Sequence, residues 1–84
     1  MSALLRKISG KECVKILCNK FGFYVSRQKG SHIVLAKQSA GEKIVTVVPN
    51  HKELRIGTLK EVLKLARIDE EEFAKFQYGF PVPF

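Results

Sequence analysis

Two turn signals, Lys29-Gly30 and Ser39-Ala40-Gly41, cut residues 23 to 48 into three β-like runs with almost no chain between them. A parallel pair needs a crossover of about a dozen residues or more, so runs joined this closely fold back on one another as an antiparallel meander. The first run, Phe23 to Gln28, alternates aromatic or valine residues with polar ones. The second, Ser31 to Gln38, carries Ile33-Val34-Leu35-Ala36, and the third, Lys43 to Val48, is rich in Val, Ile and Thr. Pro49 lacks an N–H for the ladder and closes the third run. The second and third runs are apolar on both faces: Ile33 and Leu35 oppose Val34, while Ile44 and Val48 oppose Val45 and Val47. The second face is then partly covered, or meets another protein, or leaves a valine or two in water.

Helix signals flank the meander. Ser9-Gly10-Lys11-Glu12 has the Ser-x-x-Glu form of a capping box, and Val14, Leu17, Cys18 and Phe21 follow at the spacing of one helix face. Gly22 is a natural stop, so a helix is predicted over about 10–20. Thr58-Leu59-Lys60-Glu61 repeats the box, with Gly57 freeing the loop that enters it, and Leu59, Val62, Leu63 and Ala66 form the clearest helical stripe in the chain. Asp69 with Glu72 gives the signal a third time, and Phe73 and Phe76 share a face, which predicts a short helix near 70–77. Gly79, Pro81 and Pro83 end regular structure. They leave an apolar tail, residues 77–84, that tucks into the domain or docks on a neighbour. The order is α-β-β-β-α with a short helical addendum. That is an α+β layout like a double-stranded-RNA-binding domain: a three-stranded antiparallel sheet with both main helices against one face.

With 84 residues there is room for one core, and residues 1–84 read as a single domain with its core in 5–76. A chain this short buries a modest share of its surface, so a partner or weak self-association is expected. Apolar residues at 45% and charged residues at 27% exclude a disordered chain. No apolar stretch approaches the roughly 18 residues of a membrane span, and MSALLRKISGKE lacks the apolar core of a secretory signal; a cytoplasmic protein is expected. Cys13 and Cys18 point in different directions on the first helix, which argues against an intrachain disulfide. With no His or further Cys nearby they make a weak zinc pair, and they read as small hydrophobes in a reducing compartment. Fifteen Lys plus Arg against eight Asp plus Glu leave a net charge of +7, which favours polyanions such as nucleic acid or an acidic protein.

Chemistry is narrowed by what is missing. No Gly-x-Ser-x-Gly, His-Glu-x-x-His or phosphate-cradling glycine loop occurs, and the few carboxylates sit mainly in caps and in Glu70-Glu71-Glu72. A two-metal nuclease needs several converging carboxylates. Imidazole and cations remain. RNA carries its own nucleophile, the 2′-OH, so cutting it needs a base working near neutrality, cations for the developing charge and a donor for the leaving 5′-oxygen. An imidazole, with an ordinary pKa of about 6.5, suits the base. His32 stands at the mouth of the second strand, with Lys29 in the preceding turn, Lys37 at the far end and Ser31 as a hydrogen-bond donor. On spacing alone His32 reads first as an ordinary surface histidine at a strand end. His51, after the third strand, supplies an acid, contacts phosphate or caps its loop; Lys52, Arg55 and Lys60 lead into the second helix, whose N-terminus favours anions. Lys15 and Lys64 read as solvated surface.

These residues resemble a known family. Gly30-Ser31-His32 opening a strand, Thr46-Val47-Val48-Pro49-x-His51, Lys52-Glu53-Leu54-x-Ile56-Gly57-Thr58-Leu59, Leu63-x-x-Ala66-x-Ile68 and Glu71-Glu72-Phe73 resemble the HicA (YcfA-like) toxin family over residues 5 to 76. The resemblance implies a double-stranded-RNA-binding-domain-like fold, messenger-RNA interferase activity, a catalytic histidine at His32, and a HicB antitoxin that covers the active site. No cofactor or metal is implied. Many members carry a second histidine directly after the first, where this chain has Ile33. The proton donor is then a lysine, His51 or water. The tail from Tyr78 to Phe84 matches nothing in the family.

Overall fold

The computed structural model describes residues 5–77. The chain runs α1 (Gly10–Phe21), β1 (Tyr24–Lys29), β2 (His32–Ser39), β3 (Glu42–Pro49), α2 (Ile56–Ala66) and α3 (Glu70–Gln77). The three strands form one antiparallel sheet in the order β1-β2-β3. This is the expected α-β-β-β-α arrangement with its short C-terminal helix; the apolar tail from residue 78 onward lies outside the described residues.

Both hairpins turn on two residues. Gly30, the first of the pair Gly30-Ser31, has φ 60°, the II′ pattern that suits the twist of flanking strands. The second turn is tighter than the expected three-residue loop. Ser39 pairs with Glu42, and Ala40 and Gly41 take φ 50° and 80°, the type I′ geometry. A register shift between Val25 and Arg27 leaves Ser26 as a bulge in β1. Phe23, expected within the first strand, is instead buried just ahead of it, and every residue of β1 is exposed.

The sheet buries one face. Ile33, Leu35, Ile44, Thr46 and Val48 point inward and pack with Cys13 and Leu17 of α1 and with Leu59, Val62, Leu63 and Ala66 of α2. Both main helices therefore share that face. The other keeps Val45 41% exposed, with Val34 and Val47 half-buried, so among the described residues no helix covers the second apolar face. The Thr46 hydroxyl, buried on the inner face, donates to the Val62 carbonyl at 2.8 Å.

Two helix details differ from expectation. The buried face of α1 is centred on Gly10, Cys13 and Leu17, with Val14, Cys18 and Phe21 only partly buried. The cause lies at Gly10, whose added Cβ would come within 2.1 Å of the Pro49 carbonyl oxygen, so this glycine must face β3. The Ser9 cap is as expected: its hydroxyl accepts from the Glu12 N–H at 3.0 Å, and Gly22 ends the helix at φ 78°. Helix α2 begins at Ile56 with Arg55 in the cap position and no side-chain cap, so Thr58 falls in the first turn. Leu54, buried and donating its N–H to the Ile8 carbonyl at 2.7 Å, anchors the loop and starts the helix earlier than Thr58. Asp69 caps α3 as expected, accepting from the Glu71 and Glu72 N–H groups at 3.1 and 3.3 Å. The Phe21 ring meets Phe73 and Phe76 at centroid distances of 6.2 and 5.6 Å, which docks α3 on the end of α1.

Candidate functional site

His32 is the first residue of β2, directly after the Gly30-Ser31 turn, and it is exposed. Its cross-strand partners are Lys29 on β1 and Pro49 on β3. Residues paired across a ladder project from the same face, with Cβ atoms about 5 Å apart. Lys29 and His32 thus stand side by side on the uncovered face. The next row on that face is Arg27, Val34 and Val47, which sets a second cation beside the first. Arg27 carries a signal that was there to be read: it lies two positions before Lys29, so strand alternation puts both on one face.

Below the turn, the loop after β3 completes the surroundings. The Asn50 N–H donates to the Ser31 carbonyl at 2.6 Å, and the His51 carbonyl accepts from the Gly10 N–H at 2.9 Å. These two bonds tie the loop to the Gly-Ser-His turn on one side and to the start of α1 on the other. Between loop and helix opens a cleft of about 350 Å³ lined by Ser9, Lys11, Asn50, His51 and Lys52. Its charged lining is all cationic. Sequence reasoning missed Lys11, because only the close approach of Gly10 to Pro49 brings the start of α1 here.

Of the residues singled out in the sequence, Lys29, Ser31, His32, His51 and Lys52 gather at this end of the sheet. Lys37 does not. Lys37 is five residues along β2 from His32, about 16 Å at strand rise. It belongs to the inner-face row of Ile44, and its ammonium lies 5.4 Å from the centre of the Phe23 ring. Lys60 is exposed on α2, whose buried stripe holds the helix against the inner face. Ile33, where many family members have a second histidine, is 7% exposed and packed in the core, so this position serves packing here.

A larger cleft of about 470 Å³ opens at the other end of the sheet, between the β2–β3 turn and the α2–α3 junction. Glu42, Asp69 and Glu72 line it against Lys37 and Arg67, and the Arg67–Glu42 ion pair takes up one of those cations. Size favours that cleft. Charge favours the smaller one for an anionic ligand. Among the described residues no three His, Cys, Asp or Glu side chains gather to hold a metal, and no helix is long and apolar enough to cross a membrane.

No curated protein and no solved structure matches the chain at a significant level. A family model does match: residues 10–68 fit the model described as the HicA toxin of bacterial toxin-antitoxin. The matched span runs from the start of α1 through the end of α2 and takes in the Gly-Ser-His turn and the whole basic cleft except Ser9.

Proposed function

Because the chain belongs to the HicA toxin family of bacterial toxin–antitoxin systems, we propose that it is a cytoplasmic endoribonuclease that cuts messenger RNA without a metal and is held in check by a HicB-type antitoxin. The observation that carries this reading is the exposed His32 beside Lys29, flanked by a cleft whose charged residues, Lys11 and Lys52, are both cations. In the reaction His32 removes the proton of a ribose 2′-OH, and O2′ attacks the adjacent phosphorus. The P–O5′ bond breaks, leaving a 2′,3′-cyclic phosphate on one fragment and a 5′-hydroxyl on the other. Lys29 on the sheet, with Ser31 and Lys52 at the turn and the loop, holds the phosphate. The leaving oxygen takes its proton from the cleft side, where His51 and Lys11 stand with Lys52. The antitoxin acts by covering His32.

Expression of wild type and His32→Ala in cells, with growth and bulk messenger RNA followed, tests the reading. Loss of a general base lowers a rate about 10²–10⁴-fold, so His32→Ala should cease to arrest growth. It should melt within a few degrees of wild type, since the side chain is exposed. Growth arrest by a folded His32→Ala protein would sink the catalytic role. Cleavage should persist in EDTA and yield cyclic-phosphate ends; cutting lost to EDTA would point to a metal. RNA bound but never cut, with His32→Ala binding as well as wild type, would mark a non-catalytic RNA-binding module.

A further inference from the structure

The uncovered face of the sheet extends well past His32. Its rows run Lys29–His32–Pro49, then Arg27–Val34–Val47, then Tyr24–Ala36–Val45. The third row is the least polar. Tyr24 and Val45 are 49% and 41% exposed, while Ala36 between them is fully buried, so the row presents a ring and methyl groups with no pit between. The fourth position along β3 adds Lys43 opposite Gln38. Among the described residues of the sheet no carboxylate occupies this face: Glu42, the nearest in sequence, pairs with Ser39 on the opposite parity and binds Arg67. Cations and flat apolar groups on one strip, without a carboxylate, are complementary to a polyanion that also carries rings. The strip is continuous with the His32 site.

We propose that this face is a track for single-stranded RNA, on which the Tyr24 ring stacks on an unpaired base and Arg27 holds a phosphate between that base and the bond at His32. The ligand's identity rests on the RNA-cleaving reading above; the track itself is a statement about binding. Tyr24 lies two same-face rows from His32, about 13 Å along the strands, a span that a few nucleotides of extended strand cover. Base–aromatic stacking tolerates any base, and it requires that the base be unpaired, so the track selects single strands over duplexes. Tyr24 therefore acts on affinity and on the position of the cut within a single-stranded stretch.

The test is fluorescence anisotropy with the full chain and a short labelled 2′-O-methyl oligonucleotide, which lacks the attacking hydroxyl and stays intact. Tyr24→Ala should weaken binding of the single strand about tenfold, and Tyr24→Phe, which keeps the ring, should restore it. Binding of a duplex of equal length should change little. Equal affinity of wild type and Tyr24→Ala for the single strand overturns the proposal, as does an equal loss on single strand and duplex. An oligonucleotide that fails to bind wild type at low salt also overturns it, and leaves the face to a protein partner. Failure of the cleavage reading is distinguishable: wild type then binds, Tyr24→Ala loses the single strand, and natural RNA stays uncut.

Discussion

Cys13 sits in the core with no exposed surface, and burial pushes its thiol up from an ordinary 9.0 to about 12. Cys18, half-buried five residues further along α1, is raised too, again by burial. Both are free thiols. Nothing at Cys13 stabilises a thiolate, so it is an inert packing group and not a reactive one. A pH dependence follows. Below pH 9 the thiol is protonated in the folded and unfolded chain alike, and it contributes no slope. Between 9 and about 12 the unfolded chain releases this proton while the folded chain keeps it, so the unfolded state binds fewer protons and stability falls as pH rises. The slope from this group is about 1.4 kcal/mol per pH unit. Urea unfolding of wild type and Cys13→Ala at several pH values from 8 to 11 isolates it, since every other ionisable group is common to both proteins. Cys13→Ala should be less stable at pH 8 through its cavity, and the gap should narrow with rising pH. A constant gap would mean that the thiol is not protected by folding.

At the scale of elements, α3 is held by more than its aromatic face. The buried Gln77 amide pairs with the backbone of Arg6: Oε1 accepts from the Arg6 N–H at 2.9 Å, and Nε2 donates to the Arg6 carbonyl at 2.7 Å. The two residues are 71 apart in sequence, so this clip joins the segment before α1 to the end of the last helix. Gln77→Ala leaves a donor and an acceptor of Arg6 without these partners, at a cost of about 1–3 kcal/mol. For a domain of this size each kcal/mol lowers the melting temperature by about 4–8 °C. Thermal melts of the full chain should show that drop for Gln77→Ala, and Gln77→Glu should recover only part of it, because a carboxylate cannot donate to the Arg6 carbonyl. An unchanged melting temperature for Gln77→Ala would show that the clip adds nothing. No local pattern announces such a contact. Elements themselves were legible because caps, turn residues and periodicity are local: Ser9, Gly22, Gly30, Gly41 and Asp69 all do what their chemistry suggests. Misreadings arose where tertiary packing decides, as when Gly10 rotates α1 or Leu54 starts α2 early. The site follows the same division. The pairing of His32 with Lys29 could be read from the turn, and strand parity alone separates Lys37 from His32. Lys11 reaches the cleft only through the fold.

Over the whole molecule the charge of +7 is sorted. Glu42, Asp69, Glu70, Glu71 and Glu72, five of the eight carboxylates, lie around the larger cleft and α3, at the end remote from His32. Cations Arg27 and Lys29 hold the open face, with Lys11 and Lys52 in the adjoining cleft. This makes net charge and patterned charge separable by experiment. If these four side chains each neutralise one phosphate of a single strand, log affinity falls against log salt with a slope of about −3, because each contact contributes about −0.7. Raising salt from about 50 to 200 mM then weakens binding about fifty-fold. Lys29→Ala should make the slope shallower by about 0.7, while Lys64→Ala, which removes an equal charge from the exposed side of α2, should leave it unchanged. The intact 2′-O-methyl oligonucleotide serves for both, since no cutting interferes with the titration. Equal changes from the two substitutions would mean that RNA responds to the protein's total charge, and that the basic end of the sheet has no special hold on the strand.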